Sequence, residues 1–229
     1  MIQLPVTTAS GIEMRDTTLK RGVLCRIGTM DEYVVSECWR SYDTLPVKDR
    51  IVIDIGANIG AFTRWALEHG ARRVVALEPE QSNHVCLCRN IFDQDSYKTL
   101  TYNACAALED GETDLWLAPS SKNPGNTSQT PRRGRFKEEH VKTINVHHLM
   151  KKWDVQSVKM DCEGAEYEVG WPDLMPDSVK DVAAELHLSD KYFRSRCEEM
   201  IESYRAAGWR TVVEPKIKGC WNTLAHWTR

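Results

Sequence analysis

Paired cysteines are missing from this chain. It holds eight, at positions 25, 38, 86, 88, 105, 162, 197 and 220, and no two stand in a CxxC spacing. Scattered in this way, they read as small buried hydrophobes in a reducing compartment. Long apolar runs are missing too: no stretch approaches about 18 uncharged apolar residues, so no membrane span is expected. The opening MIQLPVTTAS has no positive region followed by a long apolar one, so no secretory leader is expected and a soluble, cytoplasmic protein is the expectation. Nor is there an excess of one charge. The 30 Lys and Arg against 33 Asp and Glu leave a net −3, so attraction of the whole molecule to nucleic acid or an anionic membrane is not indicated, and only a local basic patch could supply it. The GxGxxG spacing of a dinucleotide fingerprint is absent as well.

What is present is organised around residues 51–63, IVIDIGANIGAFT. Three apolar residues meet Asp54, then Gly56, Asn58 and Gly60, and a helical pattern begins at Ala61. This order reads as a buried strand, a tight glycine turn and a helix N-terminus, the nucleotide-binding corner of a doubly wound sheet. Gly56 lets the backbone turn and approach a ligand, and Gly60 lets the helix pack close to the strand. An acid at the strand end suits a ligand carrying a cation, so Asp54 is expected to face an amino group or a sulfonium. The next apolar run, 74–77, ends at Glu78, where a carboxylate can accept both hydroxyls of a ribose. S-adenosylmethionine fits this combination better than NAD does.

Residues 51–63 resemble motif I of the class I S-adenosylmethionine-dependent methyltransferases, and VKMDCEGAEYEV at 158–169 resembles the K(I/M)DxEGxE signature of the FkbM family. The resemblance implies an α/β, Rossmann-like, seven-stranded class I methyltransferase fold. Its sheet would be mostly parallel with an antiparallel terminal strand, strand order 3-2-1-4-5-7-6, and helices on both faces. It also implies S-adenosylmethionine as cofactor and S-adenosylhomocysteine as product, with Asp54, Gly56, Asn58, Gly60 and Glu78 binding the cofactor.

The length of 229 residues suits one well-buried domain, with residues 1–45 as an N-terminal arm and cap helix and 46–229 as the Rossmann-like core. Thr29 and Glu32 have the spacing of a capping box, opening a helix that ends before Leu45 and covers the cofactor pocket. That would make Thr29, Asp31 and Tyr33 ligand neighbours. Phe62, Trp65 and Ala66 point inward on the helix closed by Gly70. Pro79 suits the first turn of the following helix, whose apolar positions are Val85, Cys88, Ile91 and Phe92. Strands are expected near 100–106, 113–117, 141–146, 155–160 and 179–188, a helix over 191–207, and an antiparallel pair at 209–213 and 220–227. The polar stretch 118–140 has no apolar period; Arg132, Arg133, Arg135 and Lys137, with Phe136 among them, make it locally cationic.

In open α/β sheets ligands bind beyond the carboxyl ends of the strands, which singles out Asp54, Glu78, Asp161, Glu185 and His187. Methyl transfer to a hydroxyl needs alignment and a proton acceptor. His187, with an ordinary pKa near ~6.5, is the best-suited base. Asp161, matching the acid of the FkbM signature, is the alternative base or orients the acceptor, and Lys159 pairs with it or with the substrate. Glu163 and Glu166 suit structural roles at a helix N-terminus. Asp161, Glu185 and His187 offer ligands for a metal, but no acid–amide pair follows the fifth strand, and a metal is not expected.

Neither a Pro-Cys nucleophile nor an Asp/Asn-Pro-Pro-aromatic tetrad occurs, which argues against the two corresponding DNA-methylating classes. The expected reaction is methylation of a hydroxyl oxygen on a small molecule or saccharide. An RNA or nucleotide methyltransferase using the basic stretch 132–137 is the first alternative, and a non-catalytic cofactor-binding or scaffold protein the second.

Overall fold

The computed structural model describes residues 17–92, 96–117, 127–128, 136–188, 191–214 and 222–229. The first elements are a hairpin of β1 (Thr17–Lys20) and β2 (Val23–Arg26), turned through Arg21 and Gly22, both at positive φ, as a two-residue hairpin loop of matching twist requires. Then follow α1 (Asp31–Ser41), β3 (Ile51–Ile55), α2 (Ala61–Glu68), β4 (Arg73–Leu77), α3 (Gln81–Phe92), β5 (Thr99–Tyr102), β6 (Cys105–Ala107), β7 (Gly111–Leu117), β8 (Thr127–Ser128) and β9 (Phe136–Asn145). The chain continues with α4 (Val146–Trp153), β10 (Ser157–Met160), α5 (Glu166–Val169), β11 (Asp181–His187), α6 (Lys191–Ala206), β12 (Arg210–Val213) and β13 (Asn222–Thr228).

The central sheet has seven strands in the order β5-β4-β3-β10-β11-β13-β12. Numbered among themselves these are 3-2-1-4-5-7-6, the order implied by the resemblance, and β13 runs antiparallel to both its neighbours. The inner strands β3, β4, β10 and β11 are buried on both faces, as parallel strands flanked by helices must be. Ile51, Ile53 and Ile55 join Val158, Met160, Val182, Ala184 and Leu186 in one core, shared with α4 and α6. Val52, Val74 and Ala183 join the other, formed with α1 and α2 through Val35, Cys38, Phe62 and Trp65. By the same alternation Asp54, Lys159 and Glu185 belong to the second face. This places three polar side chains beneath α1 and α2.

Several expectations change. The run 100–106 is two strands in different sheets: β5 ends the central sheet, while β6 starts a four-stranded sheet, β6-β9-β7-β8. Between them the Asn103 side chain donates to the carbonyls of Glu78 and Pro79, both at 2.9 Å, and redirects the chain. Helix α3 starts two residues after Pro79 and buries Asn83, Cys86, Leu87, Asn90 and Ile91, leaving Phe92 exposed. There is no capping box at α1: its N-cap is Met30, and the Thr29 hydroxyl takes the Asp31 N–H at 3.2 Å instead. Asp31 pairs with the buried Arg26. Arg132, Arg133 and Arg135 lie outside the described residues, as do Cys220 and Trp221, while Phe136 and Lys137 begin β9.

Candidate active site

The turn between β3 and α2 is built from residues that tolerate left-handed backbone: Gly56, Asn58 and Gly60 have φ of 76°, 52° and 87°. A side chain at Gly56 would place Cβ 1.8 Å from the Asp161 carbonyl oxygen, so only glycine lets the β3 turn lie against the backbone leaving β10. The close approach at Gly60 is to α3, where a Cβ would meet Leu87 Cδ1 at 2.8 Å. Beside the turn, Glu78 Oε2 accepts the Asn58 N–H at 2.8 Å and Oε1 the Glu80 N–H at 2.9 Å. Burial pushes this carboxyl up to about 7, although those N–H groups pull the other way. Apart from a long contact of 3.5 Å from the Asn83 amide to Oε1, each oxygen holds one hydrogen bond, which leaves capacity for hydroxyl donors. A ribose diol therefore fits the donor and acceptor set at this corner.

Asp54 is wholly buried and accepts the Thr63 hydroxyl at 2.6 Å. On the adjacent strand, directly opposite in register, stands Lys159. Its ammonium is 3.0 Å from Asp54 Oδ1. The best-directed hydrogen bonds of that ammonium go to the carbonyls of Gly56 (2.7 Å) and Ile55 (3.4 Å), and Oδ1 itself accepts no directed hydrogen bond. Burial by itself would discharge the lysine; Asp54 and then Asp161 outweigh it and raise its pKa. The positive group facing Asp54 is thus one of the protein's own.

The ends of β10 and β11 carry the second half of the site. His187 Nδ1 meets Glu166 Oε1 at 2.9 Å, and the same oxygen accepts the His187 backbone N–H, also at 2.9 Å. On its other side His187 Nε2 lies 3.9 Å from Asp161 Oδ1 and 3.8 Å from Glu163 Oε2. Burial opposes charge on the ring, but Glu166, Glu163 and Asp161 together raise its pKa to about 10. His187 is an imidazolium at neutral pH. A protonated ring cannot take a proton, which works against its expected role as base. Asp161 keeps 29% of its side-chain surface exposed, more than Glu163 at 23% or His187 at 8%.

Two further groups were not singled out from the sequence. Glu37 on α1 accepts the Tyr33 hydroxyl at 3.3 Å, and burial and then Asp161 raise its pKa. Tyr42, just past α1, is 1% exposed, and its hydroxyl has no hydrogen-bond partner. Its ring centroid is 5.7 Å from the Lys159 ammonium. Helix periodicity places both residues near the body of the protein, but nothing local in sequence ties them to the strand ends. Among the described residues, no group of three or more His, Cys, Asp or Glu is arranged to hold a metal ion.

Residues 54–170 match the family model of the methyltransferase FkbM domain. No curated protein matches the chain. Among solved structures, methyltransferase FkbM from Methylobacillus flagellatus KT aligns with a TM-score of 0.55 at 16% identity, over 84% of this chain and 47% of that one. Trm5b from Pyrococcus abyssi aligns at 0.51 and 11% identity, over 93% and 55% of the two chains. TYW2 from P. horikoshii in complex with MeSAdo aligns at 0.52 and 12% identity, over 93% and 70%. These likenesses are of fold. The chain spans about half the length of the FkbM structure it matches.

Proposed function

The chain belongs to the FkbM methyltransferase family, and on that premise we propose that it methylates a hydroxyl oxygen of a small molecule or saccharide with S-adenosylmethionine as donor. The observation that carries the donor assignment is Glu78, a buried carboxylate beside the glycine turn with acceptor capacity to spare. When bound, S-adenosylmethionine supplies an electrophilic methyl group on a cationic sulfur. Glu78 would accept the ribose hydroxyls, and Gly56, Asn58 and Gly60 shape the turn beside them. Asp54 and Lys159 hold the ends of β3 and β10 together and position that turn through the Gly56 carbonyl.

Asp161 is the residue we assign to the acceptor hydroxyl: its carboxylate orients the hydroxyl and receives its proton. His187 lies beside Asp161 and helps hold it in place, while Glu166 fixes the ring. Methylation of RNA is the weaker reading, because the described strand ends carry carboxylates, which repel a phosphate backbone.

Calorimetric titration with S-adenosylhomocysteine tests the donor site. Glu78→Gln keeps the shape but loses the charge, and should weaken binding by about tenfold or more, as expected for charge-assisted hydrogen bonds to two hydroxyls. Equal affinity in wild type and variant, or no binding to folded wild type, would remove the assignment. Asp54→Ala is a poor probe, since it leaves the buried Lys159 unpaired and confounds binding with stability.

A further inference from the structure

Among the described residues, carboxylates outnumber cations around Asp161. Two of the buried acids have a cation of their own: Asp54 has Lys159, and Glu166 has His187. Asp161 and Glu163 share the far side of the His187 ring, Glu185 stands on β11, and Glu37 is half-buried on α1 within electrostatic reach of Asp161 and His187. Glu185 takes its hydrogen bond from the Asn222 amide and Glu37 takes one from the Tyr33 hydroxyl, both neutral donors. Of the nearby basic side chains among the described residues, Lys159 is committed to Asp54 and two carbonyls, and Arg40, exposed at the end of α1, donates to the Ser36 carbonyl at 3.2 Å while its charge partly offsets the acids around Glu37.

The Tyr42 hydroxyl is an independent observation. It is buried, has no hydrogen-bond partner, and the two carboxylates that act on it most strongly are Asp161 and Glu185. A buried phenol that neither donates nor accepts is destabilising unless something else meets it. It lies within electrostatic reach of both acids and hydrogen-bonds to neither. A group that could meet this hydroxyl there would have to be compatible with both acids.

Resting on the methyltransferase reading, we infer that the acceptor is a hydroxylated amine, its ammonium group held by Glu37 and Glu185 and contacted by the Tyr42 hydroxyl, with the reacting hydroxyl at Asp161. An ammonium supplies donors and positive charge together, and would let Glu185 ionise at neutral pH, where burial and Asp161 oppose it, and offset the same two influences at Glu37. A phosphate or carboxylate at the same place would face acids, with the nearest cations, Lys159 and His187, already engaged by Asp54 and Glu166. The assignment makes Glu37, Glu185 and Tyr42 determinants of specificity and places none of them in the methyl-transfer step.

The test uses three hexoses of one scaffold, glucosamine, glucose and glucose 6-phosphate, titrated into the protein saturated with S-adenosylhomocysteine. Glucosamine should bind at least about tenfold more tightly than glucose, a difference of about 1.4 kcal/mol, with no binding of the phosphate. Glu37→Gln and Glu185→Gln should each erase most of that preference, and Tyr42→Phe, which keeps the ring, should reduce glucosamine affinity severalfold. In all three variants the affinity for S-adenosylhomocysteine should stay within about twofold of wild type. The inference is overturned if the three sugars bind alike or none binds. It is also overturned if the glutamine variants lose affinity for S-adenosylmethionine but not S-adenosylhomocysteine, since the acids would then serve the sulfonium. Failure of wild type to bind S-adenosylhomocysteine at all would instead bring down the parent reading, and this one with it.

Discussion

At the scale of single residues, the site is a set of charges removed from water, and each makes a measurable demand. Glu78 binds a diol best when ionised, yet burial raises its pKa to about 7. Affinity for S-adenosylhomocysteine should therefore fall as pH drops from 8 to 6, with proton release on binding below pH 7, read by calorimetry in buffers of different ionisation enthalpy. Glu78→Gln should abolish both the slope and the release. Lys159→Met should destabilise the fold by about 3–5 kcal/mol in urea unfolding, because it strands Asp54 in the core; adding Asp54→Asn should recover much of the loss. Asp54 and Glu78 were legible in sequence as polar ends of apolar runs. The partner of Asp54 was not, because Lys159 is opposite it only through the register of two parallel strands far apart in sequence. The charge state of His187 escaped for the same reason, since Glu166 reaches it from another element.

At the scale of elements, the N-terminal hairpin and α1 are fastened to the cofactor corner by Arg26. Its guanidinium spans Asp31 (2.8 Å and 2.9 Å), the Ser82 hydroxyl (3.2 Å) and the Asn83 side chain (2.7 Å), all buried. The Asn83 amide in turn stands 3.5 Å from Glu78. Asp31→Ala should leave Arg26 buried without its anion, and hydrogen exchange should then show lost protection in β2 and in the first turn of α3 while α6 keeps its own. Unchanged protection in β2 would mean that the arm is held by its apolar contacts alone. Strands and helices of the central sheet were readable from apolar runs and helical spacing, and their order from resemblance. The second sheet was not, since the turn at Asn103 depends on carbonyls from the end of β4 that no local pattern announces. The buried face of α3 was misjudged because Asn83 and Asn90 are core residues there. Asn90 bridges the Leu24 backbone and the Ile59 carbonyl, contacts that make a polar side chain an interior one.

At the scale of the whole molecule, the perturbed groups combine into one pH profile. Glu78 and Glu185 titrate in the folded state near 7 and 8 against an ordinary 4.5, and His187 near 10 against 6.5. From about pH 4.5 to 10 the folded protein holds more protons than the unfolded chain, so these groups make stability fall as pH rises through that window. Glu166 is shifted down by His187, although burial opposes it, so its contribution is present above 4.5 and lost in acid. The thermal midpoint should accordingly be highest near about pH 5 and decline toward pH 10, and His187→Gln should flatten the upper part of that decline. A midpoint that rose steadily from pH 6 to 9 would contradict the protonated assignment of His187.

The position of β13 has a consequence for how the molecule comes to be assembled. It follows β11 and β12 in the chain but lies between them, paired to both. Until residues 222–228 arrive, β11 presents an unsatisfied and mostly apolar edge, DVAAELH, and β12 has no neighbour in the sheet. Every partly folded form that lacks this strand is open to pairing with a strand from elsewhere. Pairs this distant in sequence close slowly, so the interval before β13 docks is when the chain is most exposed to aggregation, and when a chaperone that shields bare strand edges would matter most.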